Sequence, residues 1–229
     1  MQTTYDKFPE VTVQGYDDQA WQGWESIEAT LNLRASASSR TVLVVDCYPG
    51  VRLDELEQRL LPSLNATRVL NVESARRDQQ ALHDLLARNL TDDRVFGVLS
   101  CHHLEEFFNA DKLHQLRQQV DAVTEGLIVI YGPGAALVHP GDVLVYADMP
   151  RWEIQQRMRH DGLGNWGADN QDEDILRRYK RAFFIEWRVF DRHKTPLLKR
   201  ADYLLDTTQK EAPTLVSGEA LRAGLRQTT

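Results

Sequence analysis

The residues with the clearest potential for chemistry follow a short apolar run, in the sequence DCYPGVRLDEL at 46–56. Asp46 supplies a carboxylate, and Gly50 allows a tight turn. Tyr48 adds a phenol, and Arg52 adds a guanidinium that can bind phosphate through two parallel hydrogen bonds. A loop between a buried strand and a helix points backbone N–H groups and the positive end of the helix at an anion. We therefore predict a phosphate-binding loop, with Asp46 as its general base or magnesium ligand.

This loop is not a complete Walker A motif. In G-x-x-x-x-G-K-[ST], the lysine contacts the transferred phosphate and the hydroxyl holds magnesium. Gly50 can stand for the second glycine, but Val51 and Arg52 occupy the lysine and Ser/Thr positions, and the first glycine is missing. Three interpretations stay open, namely binding of a phosphate or nucleotide, phosphotransfer by an altered loop, and a Pro-Gly turn with no ligand.

Two further motifs suggest other kinds of chemistry. Cys47 and Arg52 have the spacing C-x4-R, one residue short of the C-x5-R of cysteine phosphatases, so we interpret Cys47 as a packing residue. The stretch CHHLEE at 101–106 can place His102 beside a glutamate on a helix, a spacing that metal-ligand pairs use. No third ligand is spaced with them. We expect a solvated helix there and no zinc in this chain.

A second polar group follows a short apolar run that ends at Asp148. The next predicted helix carries Arg151, Arg157 and Arg159, and the stretch 160–174, rich in Gly, Asn and Asp, is predicted to be a mobile loop. Arginines on a lid that closes over phosphates neutralise charge and exclude water. Arginines on one helix can also form a solvated face, and both interpretations stay open.

Apolar runs and helical stretches alternate along the chain, and this pattern indicates an α/β fold. The predicted strands of the sheet are 41–46, 67–73, 94–100, 126–131 and 142–148. The predicted helices between them are 53–61, 78–88 and 103–121. Continuous β-branched runs such as TVLVVD are typical of strands buried on both faces. Right-handed crossovers then give a doubly wound, mostly parallel sheet, whose ligands bind at the carboxyl ends of the strands.

We interpret the chain as one domain with four regions. A strand at 10–15 is predicted to precede a helix capped by Asp17 or Asp18, and a last strand is predicted at 201–207 before a short terminal helix. The regions are 1–40 for the N-terminal strand and helix, 41–148 for the core sheet, 149–200 for the arginine-rich lid and helices, and 201–229 for the last strand and terminal helix.

The composition of the chain argues against some classes of binding partner. The formal net charge of −7 argues against a general binder of nucleic acid or anionic membranes. Two cysteines are too few for a disulfide framework. The sequence contains no apolar run long enough to span a membrane, and its first residues do not form a signal peptide. We expect a cytoplasmic protein with neither nucleic-acid nor membrane partners.

The order of these elements resembles uridine kinase and its relatives. More closely, the blocks VLVVDCYPGV, GDVLVYADMPRWEIQQR and RRYKRAFFIEWRVFDRHK resemble the amino-terminal part of bacterial class I mannose-6-phosphate isomerase-type proteins. The resemblance implies a P-loop nucleoside-kinase fold with a degenerate Walker A loop, an arginine-rich lid and a role in carbohydrate metabolism. It also implies a cupin-type isomerase domain or subunit as partner, and the isomerase's zinc ligands are not expected in this chain.

These observations predict a kinase-like domain that binds a nucleotide or a sugar phosphate, with Mg²⁺ accompanying a nucleotide. The predicted ligand contacts are Tyr48, Gly50, Arg52, Asp148, Arg151, Arg157 and Arg159. Two other functions stay open. One is an active phosphotransferase with Asp46 as its base, and the other is a non-catalytic structural or dimerisation domain.

Overall fold

A seven-stranded sheet forms the middle layer of the computed structural model, which describes residues 10–228. Its strands are β1 Ala20–Gln22, β2 Arg40–Cys47, β3 Arg68–Asn71, β4 Gly126–Gly132, β5 Val143–Asp148, β6 Tyr203–Asp206 and β7 Thr214–Ser217. The order across the sheet is β1-β7-β6-β5-β2-β4-β3. The strands from β6 to β3 are parallel, and β7 is antiparallel to both of its neighbours. The predicted α/β class and mostly parallel sheet are confirmed, and the P-loop nucleoside-kinase type stays a prediction.

Helices connect and cover these strands. They are α1 Trp24–Ala35, α2 at 53–63, α3 Gln79–Leu90, α4 Ala110–Asp121, α5 Arg151–His160, α6 at 175–198 and α7 Gly218–Thr228. Two of them contain a π-helical turn, Leu56–Leu60 in α2 and Ala182–Glu186 in α6. No helix within residues 10–228 is long and apolar enough to cross a membrane.

The path of the chain opens a crevice beside β2. From β2 the chain passes to β3 at one edge of the sheet, and it then returns through β4 to β5 and β6 on the other side of β2. Right-handed crossovers taken in opposite directions place their helices on opposite faces of the sheet. The connections after β2 and β5 therefore diverge, and ligands of open α/β sheets bind where neighbouring connections diverge in this way.

The core is centred on β2 and β4 because their β-branched side chains are covered on both faces. Val44 pairs with Ile130 across the two strands, and Ile130 pairs with Leu70 on the other side. Val44 and Ile130 have no exposed surface. This burial explains why the continuous apolar runs of β2, β4 and β5 are recognisable in the sequence.

The segment 94–100 is not a strand of the sheet, so that prediction is wrong. Its backbone bonds to two helices instead, since Val98 N donates to Asn89 O of α3 and Ser100 N donates to Phe184 O of α6, both at 2.8 Å. β3 occupies the edge of the sheet, and Phe96 is 70% exposed. An apolar run with β-propensity looks the same in sequence whether or not a neighbouring strand pairs with it.

The N-terminal prediction is wrong as well. Residues 10–15 form no strand and end in a turn at Gly15, and helix α1 begins at Trp24 after Gly23 rather than after Asp17 or Asp18. The first strand, β1, lies inside the predicted helix because Trp21 and its neighbours pair with β7.

Two other boundaries also differ from the prediction. β6 matches the strand predicted at 201–207 but is not the last strand, because β7 follows it. The predicted helix 103–121 is divided into a 3-10 turn at Leu104–Phe107 and helix α4. Asn109 separates them by accepting a hydrogen bond from Lys112 N at 3.1 Å, as an N-cap does.

Replacing Ile130 with alanine tests the position of the core. The substitution leaves a cavity under β4, on a covered face of the sheet, and such changes reduce the free energy of unfolding by about 2–5 kcal/mol. Val69→Ala, on the 42% exposed edge residue of β3, is the control and should have a much smaller effect. Urea denaturation of both variants measures the difference, and equal losses would contradict this description of the core.

Candidate functional site

The loop after β2 is a tight turn pressed against helix α5. Tyr48 N donates to Ala147 O at 2.8 Å, and Val51 N donates back to Tyr48 O at 3.2 Å. Gly50 has φ 95°, and a Cβ there would lie 2.9 Å from Ile154 Cγ1. The glycine is therefore required by its own conformation and by the approach of α5.

Arg157 of α5 fastens this loop to the end of β6. Its side chain is 3% exposed, and it donates to Gly50 O at 2.8 Å, to Thr207 O at 3.0 Å and to Thr208 O at 3.1 Å. Its Nε also pairs with Glu153 at 2.9 Å. The guanidinium predicted to bind ligand lines a cleft but is occupied by the chain itself.

A cleft of about 500 Å³ lies between the loop after β2 and the segment 161–171. Arg52 lines it and pairs with Asp161, Nη2 to Oδ2, at 2.6 Å, with side-chain exposures of 28% and 44%. Arg52 Nε is buried and has no hydrogen-bond partner among the described residues. Arg52 also precedes α2, whose start has no side-chain cap. The Arg52 side chain and the positive end of a helix thus meet at this cleft, and the guanidinium keeps one buried donor unpaired.

Two side chains anchor the segment predicted to be mobile. Asn165, 3% exposed, donates to Arg178 O at 3.1 Å and to Glu186 Oε2 at 3.2 Å. Trp166 donates from Nε1 to Glu73 Oε1 at 2.6 Å. Its ring packs against three aromatic side chains, those of Phe107, Phe108 and Phe190. The centre of the segment is held in place, and its movement on ligand binding stays a prediction.

Of the two carboxyl groups that hold this segment, Glu186 is buried and Glu73 is partly buried. Burial raises the pKa of Glu73, and the nearby Arg76 and the Trp166 hydrogen bond oppose the rise. Burial likewise raises the pKa of Glu186, opposed by Arg181 and by the bond from Asn165. Removing charged carboxylates from water is costly, and the partners on each side offset that cost.

Asp148 and Arg151 line a second cleft, of about 590 Å³, at the ends of β5 and β6. Lys194 Nζ contacts both oxygens of Asp148, at 2.9 and 3.1 Å, and Arg151 pairs with Asp191. Tyr48 lines both clefts, and its hydroxyl donates to Asp191 Oδ1 at 2.9 Å. Burial raises the pKa of Tyr48, so its hydroxyl remains a donor at neutral pH.

Asp46 and Arg159 line neither of these clefts. Asp46 has no exposed surface, and its Oδ2 accepts from Ala136 N at 2.8 Å and lies 2.9 Å from His193 Nε2. Its Oδ1 has no partner among the described residues. Arg159 is exposed and stacks over the ring of Tyr179 at 5.3 Å. The structure therefore brings Arg52 and Arg157 to one cleft but does not place Asp46 with them.

The remaining motifs have structural explanations. Burial raises the pKa of Cys47, which has no exposed surface, so its sulfur stays a thiol and packs in the core. His102 Nδ1 lies 2.7 Å from Glu106 Oε2, and Glu106 Oε1 accepts from His103 N at 2.7 Å, which caps the short 3-10 turn. Within residues 10–228, no three His, Cys, Asp or Glu side chains are grouped to hold a metal ion.

Sequence reasoning did not identify four residues of this region. Asp161, Asn165 and Trp166 lie in the stretch interpreted as a loop, and His193 contacts Asp46 from α6. One signal was available, because a tryptophan among glycines and short polar residues usually needs an apolar partner. The contact between Asp46 and His193 has no local signal, since 147 residues separate the two.

Comparison with known proteins identifies the family of this chain. It belongs to the family described as Domain of unknown function (DUF8485), whose model matches residues 23–229. No curated protein matches the chain. Among solved structures, it is similar to a "putative fructose transport system kinase" from Silicibacter sp. TM1040, with 16% identity and a TM-score of 0.44. That similarity covers 72% of this chain and 91% of the other. None of these findings supports a link to mannose-6-phosphate isomerases.

Arg157→Met tests the connection between the loop and β6. The substitution leaves the carbonyls of Gly50, Thr207 and Thr208 without their donor, and each unpaired buried group costs about 1–3 kcal/mol. We expect a clear fall in melting temperature. Arg159→Met, two residues further along α5, is the matched control and should change it little. Similar melting temperatures for both variants would show that Arg157 is not a structural link.

Proposed function

We propose that this protein binds a phosphate-bearing small molecule, a nucleotide or a sugar phosphate, in the cleft between the loop after β2 and the segment 161–171. The proposal depends on one observation, the incomplete hydrogen bonding of the Arg52 guanidinium. Nη2 contacts only one oxygen of Asp161, while the neighbouring Nε is buried without a partner. Once the Arg52 side chain turns away from Asp161 and brings Nε to the cleft surface, a phosphate group can accept from both nitrogens at once, which a guanidinium favours.

The energies favour exchange of Asp161 for a phosphate. An ion pair between partly exposed side chains contributes about 0.2–1 kcal/mol. Hydrogen bonds to charged groups contribute roughly 1.5–3 kcal/mol each. The uncapped start of α2 adds about 0.3–1 kcal/mol for an anion. Asp161 therefore acts as an internal competitor that holds Arg52 in place until a phosphate replaces it.

Magnesium would enter this cleft with a nucleotide rather than in a preformed cage. Asp54 and Asp161 both line the cleft, and Mg²⁺ commonly uses one or two carboxylates together with substrate phosphates. Bound there, the ion would neutralise phosphate charge. The two carboxylates would then orient the ligand through the ion, and Arg52 would hold its terminal phosphate.

Two other functions can be distinguished from simple binding. Phosphotransfer would need a base in contact with the ligand, and Asp46 lies behind His193, outside the cleft. A purely structural domain agrees with the occupied Arg157 but leaves the unpaired donor of Arg52 unexplained. Cytoplasmic location and partnership with a cupin-type isomerase are also proposals, and the partnership depends on the sequence resemblance alone.

Calorimetric titration of the purified protein tests this function. The ligands are ATP, mannose 6-phosphate and inorganic phosphate, each with and without MgCl₂. We expect Arg52→Ala to weaken binding of whichever compound binds by at least about tenfold, corresponding to one lost charge-assisted interaction. The melting temperature of the free protein should hardly change, because the ion pair is weak.

Two further variants make the result specific. Arg59→Ala removes an arginine of helix α2 that pairs with Glu211 at 3.5 Å, outside the cleft, and should leave binding unchanged. Asp161→Asn removes the internal competitor and, without MgCl₂, should strengthen binding of inorganic phosphate about two- to fivefold, as expected for a weak ion pair. Equal binding by all variants, or no binding by the wild-type protein, would refute the proposal. ATP turnover would instead establish phosphotransfer.

A further inference from the structure

A further cavity lies between helix α6 and the two 3-10 turns Leu104–Phe107 and Ala135–Leu137. Its volume is about 310 Å³, at the lower end of the roughly 300–1,000 Å³ that is typical of small-molecule sites. It shares no lining residue with either cleft described above, so it is a separate cavity. Its apolar wall consists of Leu104, Ala136, Leu137, Val189, Pro196 and Leu197.

His193 is the most deeply buried polar side chain at this cavity, with 9% of its surface exposed. Its Nε2 lies 2.9 Å from Oδ2 of Asp46, which has no exposed surface and also accepts from Ala136 N. Within residues 10–228, His193 is the only basic side chain bonded to this buried carboxylate, whose charge needs a compensating partner. The contact also fixes the orientation of the imidazole ring.

Arg192, the neighbour of His193 on α6, is also held in place by the chain. Its Nη2 donates to Ser100 O and to His102 O, both at 2.7 Å. Its Nε and Nη1 make no hydrogen bond to a described residue, and neither does Nδ1 of His193. An imidazole protonated on both nitrogens compensates Asp46 through Nε2 and keeps Nδ1 as a donor. Together, Arg192 and His193 then offer a carboxylate one donor for each of its oxygens.

Glu105 places a negative charge at the same cavity. Its side chain is exposed and forms no ion pair with any described residue, Arg192 included. Unpaired charges of opposite sign therefore line one small cavity, together with the exposed ring of His103. A phosphate or a dicarboxylate would bring additional negative charge towards Glu105, whereas an ammonium group would neutralise it.

We propose that this cavity binds a free aliphatic amino acid of about the size of leucine. Its carboxylate accepts from Arg192 and His193, its ammonium group pairs with Glu105, and its side chain lies against the apolar wall. A simple carboxylic acid would leave Glu105 unpaired, and a simple amine would leave Arg192 unpaired. An amino acid matches the charges of both signs and the apolar wall at once. The proposal is independent of the phosphate cleft.

Calorimetric titration of the purified full chain with L-leucine tests this site. We expect saturable binding. Isocaproate, which lacks the ammonium group, and isoamylamine, which lacks the carboxylate, should each bind at least about tenfold more weakly, because each loses one charge-assisted interaction. The absence of saturable L-leucine binding overturns the proposal. Isocaproate that binds as tightly as L-leucine overturns it as well, because the ammonium group would then have no partner.

Three variants assign each charged group of the ligand to its partner. Arg192→Met should weaken L-leucine binding at least about tenfold and remove the difference between L-leucine and isoamylamine. Glu105→Gln should instead remove the difference between L-leucine and isocaproate. Arg188→Met is the matched control, since Arg188 lies one turn earlier on α6, donates to Phe183 O and does not line the cavity. Circular dichroism should show that all three are folded. L-leucine binding that Arg192→Met and Glu105→Gln leave unchanged would place the amino acid elsewhere and overturn the proposal.

Discussion

The guanidinium of Arg157 holds together three parts of the molecule that are distant in sequence. It joins α5 to the carbonyl of Gly50 after β2 and to the carbonyls of Thr207 and Thr208 after β6. The contact with Thr207 is buried and the other two are partly buried, and without a donor these carbonyls would be costly to keep from water. One side chain therefore fixes the shape of the loop. The same loop forms one wall of the cleft.

The four arginines predicted to bind ligand differ in whether their guanidinium groups are already bonded to other parts of the chain. Arg157 is bound by the chain, Arg151 pairs with Asp191 over the ring of Trp187, and Arg159 lies on the surface. Arg52 alone among the predicted ligand arginines keeps a buried donor unpaired within the described residues. The proposed phosphate recognition thus depends on a single residue, in contrast to a lid that carries several arginines.

Much of the sheet could be predicted from sequence because burial on both faces leaves a continuous β-branched run, as in β2 and β4. The run 94–100 was misplaced because its composition does not reveal whether a neighbour pairs with it. β1 and β7 are short and pair only with the sheet margin. The site was predictable in part, since a strand end and an arginine identify the loop. Which arginine is occupied by the chain and which keeps an unpaired donor depends on contacts made across more than a hundred residues.

The π-helical turn at Ala182–Glu186 changes which side of helix α6 faces the rest of the protein. Before the turn, Arg178 and Arg181 face the segment 161–174, whereas after it His193 faces the sheet. A π-turn contains one residue more than an α-turn, and one residue in an α-helix corresponds to a rotation of about 100°. In evolutionary terms, a homologue lacking a single residue here would present a different stripe of α6 to β2. An alignment gap at this turn therefore marks a chain whose site is built differently.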